Sequence, residues 1–469
     1  MKLLLVTHRF TPALGGVETW AEQLAGGLTA LGHEVVVLSR DDGANASAEA
    51  SVGVPAGTPY STRDETRGSL RIRWVHQQHS DEGSFTESWN NPAMRAVAAA
   101  AIRDFSPDLV HIAHNDGWGV TPFRAADEAG LPVVVTLHDY KWICARGQMV
   151  RPGGDRCEGV EENLCVRCVD RQLAAVPARG LLRRLLGDRG QSALGERDGL
   201  RVVENRPDPG PRARGLWQRR QRGLMAALGG SDAVTSPSQF VANRLAVAGL
   251  EREVRVIPNG SSPAAPSEDN SGHHPVPKHA PYSGPRHAPA GARGPLRIGV
   301  FGRPHPAKGL DFLITAFTAL PAGCAELHLH GAIASDLSDP VPPGVFLGGR
   351  YDPAEIAARM ATVDLVAIPS LWDENHPMVA TEALHARRPL VVSNLGGLPE
   401  LVVPDVSGWV LPAGEPEAWV EQLALLAADP ARVTRAQAAL CPPRSAADMA
   451  ADFERLYLEL VAPGAKAAG

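Results

Sequence analysis

One rhythm constrains this chain more than any other feature, and it occurs twice: short apolar runs alternate with helix-period segments. Residues 2–6 (KLLLV) read as a buried strand. After the turn-like THRFTPALGG, apolar positions Val17, Trp20, Ala21, Leu24, Leu28 and Leu31 recur at helical spacing. Gly32 stands where a helix C-terminus favours glycine, and residues 34–38 (EVVVL) form the next strand, which completes a βαβ unit. Strands over 109–112, 133–137, 233–236 and 254–257 continue the pattern, with helices over 122–129 and 238–248, the second capped by Ser238. Buried strands joined through helices predict a parallel sheet covered on both faces.

From Leu296 the rhythm restarts: LRIGVFG, a helix over 310–320, LHLHG, VFLGG, a helix over 353–360, LVAIPS, a helix near 379–386, PLVVS and WVLPA. Between the two series, residues 261–295 hold eight prolines and four histidines without apolar periodicity and read as a disordered linker. Residues 446–461 are an amphipathic helix with Met449, Phe453, Leu456, Tyr457 and Leu460 on one stripe, whose partner the period does not name. At 469 residues the chain exceeds the roughly 250 to 300 at which one core stops growing. The expected organisation is an N-terminal domain over 1–260 with a cysteine- and arginine-rich insertion at about 144–222, the linker over 261–295, a second domain over 296–445, and a C-terminal helix and tail over 446–469.

A net charge of −6 over this length disfavours nucleic acid as a partner, because phosphate binding needs clustered positive charge. No stretch reaches about 18 consecutive apolar residues, and the N-terminal run is too short for a secretory signal, so the expected location is the cytoplasm. One local exception is residues 171–222, where thirteen arginines face five acids among leucine pairs; peripheral membrane contact and a solvated insertion are both open readings.

Residues 373–399 (DENHPMVATEALHARRPLVVSNLGGLP) follow a strand and open a helix, where backbone N–H groups and the helix dipole favour an anion such as a diphosphate. Glu374 lies in the turn and Glu382 eight residues later in the helix. A carboxylate accepts two bonds from a vicinal diol, which suits Glu382 to a ribose and places Glu374 nearer the sugar. Gly15 and Gly16, between the first strand and helix, allow close backbone approach to a phosphate or acceptor. There is no G-x-G-x-x-G fingerprint to favour a nicotinamide enzyme. His138 ends VVVTLH at the carboxyl edge of its sheet, where open α/β sheets bind ligands, and Asp139 is placed to orient its ring; His111 and His114 are alternatives.

These segments resemble the retaining GT-B glycosyltransferases of family 4. The resemblance rests on PALGGVE, TLHD, IPNG, FGRPHPAKG, the glutamate pair and SNLGGLPELV, in that order across both halves of the chain. It implies two Rossmann-like doubly wound α/β domains facing a central cleft, with the donor in the C-terminal half, the acceptor in the N-terminal half, and closure excluding water. It assigns catalytic roles to His138, Arg303, Lys308 and Glu374. The donor-binding set adds Gly15, Gly16, Asn375, His376, Pro377, Met378, Val379 and Glu382. Two fixed cations, Arg303 and Lys308, suit the charge that builds on a departing diphosphate. Departures from the family pattern are Arg388, at a place often taken by glycine, and Asn394, at one often taken by aspartate. The Gly349, Arg350 and Tyr351 loop is a weaker candidate for base recognition.

The expected function is transfer of a sugar from a UDP- or GDP-type donor to a glycan, lipid-linked or small-molecule acceptor, with retention and with no cofactor required for the chemistry. A nucleotide-sugar epimerase, or an inactive sugar-nucleotide or glycan-binding protein, are the rival readings. Cys144, Cys157, Cys165 and Cys168 have spacing C-x12-C-x7-C-x2-C, which suits either a structural zinc or four unligated thiols in a reducing compartment. Cys324 and Cys441 read as packing cysteines.

Overall fold

The structure is a computed structural model that describes residues 1–11, 15–41, 59–77, 81–152, 154–169, 207–262, 294–337 and 340–462. Most of the linker and most of the arginine-rich segment lie outside the described residues. In chain order the elements are β1 (Lys2–Thr7), α1 (Gly16–Ala30), β2 (Glu34–Asp41), β3 (Thr62–Arg67), β4 (Leu70–His76), α2 (Pro92–Phe105), β5 (Leu109–Ile112), α3 (Thr121–Glu128), β6 (Val133–Thr136), α4 (Glu162–Cys168), α5 (Gly210–Gly230), β7 (Ala233–Ser236), α6 (Gln239–Val247) and β8 (Val254–Val256). There follow β9 (Leu296–Phe301), α7 (Leu310–Thr318), β10 (Ala325–His330), β11 (Val345–Gly349), α8 (Ile356–Met360), β12 (Leu365–Ile368), α9 (Met378–His385), β13 (Leu390–Ser393), β14 (Gly408–Leu411), α10 (Pro416–Ala428), α11 (Pro430–Ala439) and α12 (Ala446–Val461).

The chain divides into two compact units, Met1–Pro258 with Ala446–Gly469, and Asn259–Ser445. In the first, eight strands run in the order β3-β4-β2-β1-β5-β6-β7-β8, all pairs parallel except β3 with β4. The β3–β4 hairpin has no apolar run to announce it. Its sequence alternates charges, Arg73 pairs with Asp64 across the strands at 2.7 Å, and only Ile72, Trp74 and Val75 are buried. The helix of 446–461 joins this unit: Met449, Ala450, Phe453, Leu456 and Tyr457 share a core with Trp20, Leu24 and Leu28 of α1. The two helices approach so closely that a methyl on Gly27 would lie 2.6 Å from the Cβ of Ala450. Inside, His111 bridges the Tyr457 hydroxyl at 2.6 Å and the Thr136 hydroxyl at 2.7 Å, so its role is to tie α12 to the sheet.

The second unit is a six-stranded parallel sheet of order β11-β10-β9-β12-β13-β14. Numbered within the unit this is 3-2-1-4-5-6, the doubly wound dinucleotide-binding order. The helix expected over 353–360 divides: Pro353–Glu355 is a 3₁₀ turn capped by Asp352, and α8 starts only at Ile356. After α9 the left-handed residue is Arg387 at φ 57°, not Arg388; its guanidinium bonds to the carbonyls of Leu440 and Gln437, which anchors an otherwise unfavourable backbone. Among the described residues no helix is long and apolar enough to cross a membrane.

Candidate functional site

In the second unit β9 and β12 are neighbours at the point where the strand order reverses, so the loops beyond their carboxyl ends border the same crevice. The first carries Arg303 and Lys308, the second Glu374. The Leu371 N–H donates to the Ala307 carbonyl at 2.8 Å and joins them. Gly309 makes this approach possible: it has φ 70°, and a Cβ there would lie 1.9 Å from the Pro369 carbonyl oxygen. The consequence is that the Lys308 ammonium bonds to Glu374 Oε1 and lies 5.3 Å from the centre of the Trp372 ring.

Glu374 is buried and its Oε1 also accepts from Ser370 Oγ and Trp372 Nε1, both at 2.9 Å. Its other oxygen has no hydrogen-bond partner among the described residues. The LGG loop closes over the same residue: Gly397 N–H donates to the Glu374 carbonyl at 2.7 Å, and a Cβ on Gly396 would lie 2.0 Å from that oxygen. Asn259 of the IPNG motif donates to the His376 carbonyl at 3.2 Å and fixes the next turn. Asn259 entered the sequence reading only as part of IPNG, and Ser370 and Trp372 were not singled out; a serine and a tryptophan flanking a strand end give no signal until the carboxylate they serve is located.

Residues 375–377 lead into α9, whose first turn has no side-chain cap, so N–H groups around Met378 and Val379 present the positive end of the helix. Burial lowers His376 to about 4. In the second turn, Glu382 makes no hydrogen bond or ion pair among the described residues, and burial alone pushes its carboxyl up to about 7. Its charge bears on Tyr351, whose phenol burial raises. Arg303 is exposed and has no ion pair among the described residues. Arg350, by contrast, is committed to Asp336 at 2.9 Å and to the Gly331 carbonyl, a structural role. Thus Lys308 and Glu374 are in contact, with the turn of Asn375, His376 and Pro377 following directly, while Glu382 stands further along the helix.

The corresponding reversal in the first unit lies between β1 and β5. Beyond these strands Asp116 accepts from Lys141 at 2.9 Å and faces His8 at 3.6 Å. Burial opposes the Asp116 charge, but Lys141, His8 and His114 together hold its carboxyl well below the usual range. His138 packs against Trp20, ring centres 4.2 Å apart. Asp139 does not orient the His138 ring: the chain bends after β6 ends at Thr136, and the Asp139 carboxylate pairs with His114 at 3.1 Å. Burial works against the His114 charge, yet Asp139 raises its pKa overall. Gly15 is the N-cap of α1 in extended conformation and Gly16 its first residue; no side chain caps this helix either, and the Glu18 carboxylate folds back over Gly15.

None of the six cysteines is in a disulfide, and Cys441 is exposed rather than packed. Cys144, Cys157, Cys165 and Cys168 all line one cavity of about 470 Å³ in the first unit.

Two family models match, that of "Glycosyltransferase Family 4" over residues 14–157 and that of "Glycosyl transferases group 1" over residues 295–429, together more than half of the chain. Among curated proteins the chain is 31% identical over 149 residues to the D-inositol 3-phosphate glycosyltransferase of Segniliparus rotundus, covering 29% of this chain and 33% of that one. The enzyme of the same name from Corynebacterium glutamicum is 32% identical over 184 residues, 35% of this chain and 44% of the relative. The matches therefore span less than half the length of these relatives. Among solved structures the chain superposes on Anabaena HepE in complex with UDP and glucose with TM-score 0.59 at 18% identity, over 97% of this chain and 99% of that one. That likeness establishes the fold as GT-B. With both family models matched in order, and the switch-point loops built from the residues that carry the motifs, the chain belongs to the family 4 GT-B glycosyltransferases.

Proposed function

We propose that this chain transfers a sugar from a nucleoside-diphosphate donor to an acceptor with retention of anomeric configuration. The observation that carries the reading is the contact of Lys308 with a buried Glu374 at the mouth of an uncapped helix. A diphosphate seated at the start of α9 meets N–H groups, the helix dipole, Lys308 and the exposed Arg303. As the bond to the sugar breaks, charge grows on that diphosphate, and these groups stabilise it without any proton transfer. Glu374 is a hydrogen-bond partner of the donor sugar rather than a nucleophile, because Lys308, Ser370 and Trp372 already hold its charge. Glu382, half-buried without a hydrogen-bond or ion-pair partner among the described residues, accepts from the ribose diol. The UDP complex of HepE supports a UDP-type donor, and the curated relatives support a polyol phosphate among the acceptors to be tried.

A thermal-shift panel of nucleotide sugars tests the donor, since a ligand at a hundred times its Kd raises stability by about 2.7 kcal/mol. Transfer from the donor so found is then followed with Arg303→Ala, Lys308→Ala and Glu382→Ala. The first two are expected to lower turnover on the order of a hundredfold and the third to weaken donor binding. Wild-type behaviour in all three variants would remove the proposed site.

A further inference from the structure

The segment between β6 and α4 has little regular structure among the described residues. Its regular structure is the seven-residue α4 and one isolated bridge, Val150 with Arg156. Around α4 the core is the small cluster of Val166, Val169, Ala213 and Trp217, while Tyr140, Trp142, Ile143 and Met149 are buried nearer β6. The loop-rich part around α4, with so small a cluster, is a place where a covalent or metal staple adds stability. The four cysteines are spread along this segment, two of them one turn apart on α4, and they converge on a single cavity. A second observation concerns charge. Arg220 of α5 is 4% exposed, yet it bonds only to the Lys141 carbonyl and the Gln221 amide and has no carboxylate at ion-pair distance among the described residues. After Cys144, the groups whose charge bears on it are the carboxylates of Asp139 and Asp116 and then Cys165. With those carboxylates beyond ion-pair distance, a buried guanidinium is further stabilised by thiolates close by, and a zinc ion bound by four of them carries a net charge of about −2.

We propose that Cys144, Cys157, Cys165 and Cys168 bind one structural zinc ion, which staples the segment leading out of β6. Among the described residues no three such side chains already share an ion position. The four cysteines line the cavity, and the metal draws their thiols together. Four S–H bonds give four Zn–S bonds and four protons to solvent, and the Cys157 thiol surrenders its present bond to the Gly159 carbonyl. The staple holds Lys141 and Ile143, whose carbonyls bond to Arg220 and Gln221, and so positions the loop that begins at His138 and Asp139.

The test uses the full chain, purified without chelator and then stripped and refilled with Zn²⁺ or Co²⁺ alone. The expected result is about one zinc per chain, four thiols that react only after metal removal, and the visible bands of tetrahedral cobalt thiolate. Cys165→Ser with Cys168→Ser should abolish binding. Should that variant not fold, the wild-type stoichiometry and thiol count decide alone. Failure to retain zinc with all thiols reactive, or a Cys165–Cys168 disulfide in its place, overturns the proposal. Loss of transferase activity in Arg303→Ala bears on the donor site and leaves the zinc result unaffected.

Discussion

Glu382 offers the sharpest perturbation, because its charge has no compensation. Burial moves its pKa from 4.5 to about 7, and each unit corresponds to about 1.4 kcal/mol, so ionising it in the empty protein costs on the order of 3 kcal/mol. The folded value lies above the unfolded one. The protonated carboxyl therefore favours the fold, an advantage complete below pH 4.5 and lost as pH rises to about 7. Two diol hydroxyls donating to the carboxylate reverse this preference, since charge-assisted bonds are worth about 1.5–3 kcal/mol each. If they return its pKa to about 5, donor affinity rises about fivefold per pH unit, roughly 25-fold between pH 5 and 7, and levels off about twofold higher above pH 7. The assay is calorimetry with an intact nucleotide sugar, whose diphosphate diester does not titrate in that window. His376 at about 4 and His330 at about 3 titrate below it. Repeating the titration in two buffers reports the proton released on binding. Glu382→Gln should bind more weakly at pH 8 and lose the slope. A wild-type affinity unchanged from pH 5 to 7, or an equal slope in the glutamine variant, would refute the assignment.

Three further outcomes are expected. Gly309→Ala forces a methyl onto the Pro369 carbonyl at a left-handed position, so it should displace Lys308 and weaken donor binding at least about tenfold with a stability loss of about 1–3 kcal/mol; unchanged calorimetric affinity would show that this contact does not set the site. Tyr457→Phe strips His111 of a buried partner and should cost about 1–3 kcal/mol in urea unfolding, whereas equal stability would deny the bond any role in docking α12. Arg387→Ala keeps the left-handed strain and loses the clamp to α11, for a loss of about 1–2 kcal/mol; Arg387→Gly also relieves the strain and should fall within about 1 kcal/mol of wild type, and identical losses would contradict this reading.

What the sequence by itself determined were the features written in short-range periodicity. The apolar runs became β1, β2, β5, β6 and β9 through β14, Ser238 caps α6 with a bond to Val241 N–H, and 446–461 is a helix over that span. The order of motifs sufficed for the fold class, because each parallel strand must be followed by a crossover that covers the sheet. The β3–β4 hairpin was illegible, since an edge held by cross-strand charge pairs has no apolar period to read. Tertiary structure alone decided the site's chemistry. Lys308 and Glu374 are 66 residues apart in the chain and meet only because β9 and β12 pair at the reversal of strand order and Gly309 lets their loops touch. The same packing gives two glutamates of one motif opposite electrostatic fates. Glu374 is buried with three donors and Glu382 is half-buried with none among the described residues, a difference that depends on neighbours brought in from distant loops and that no spacing between the two could encode.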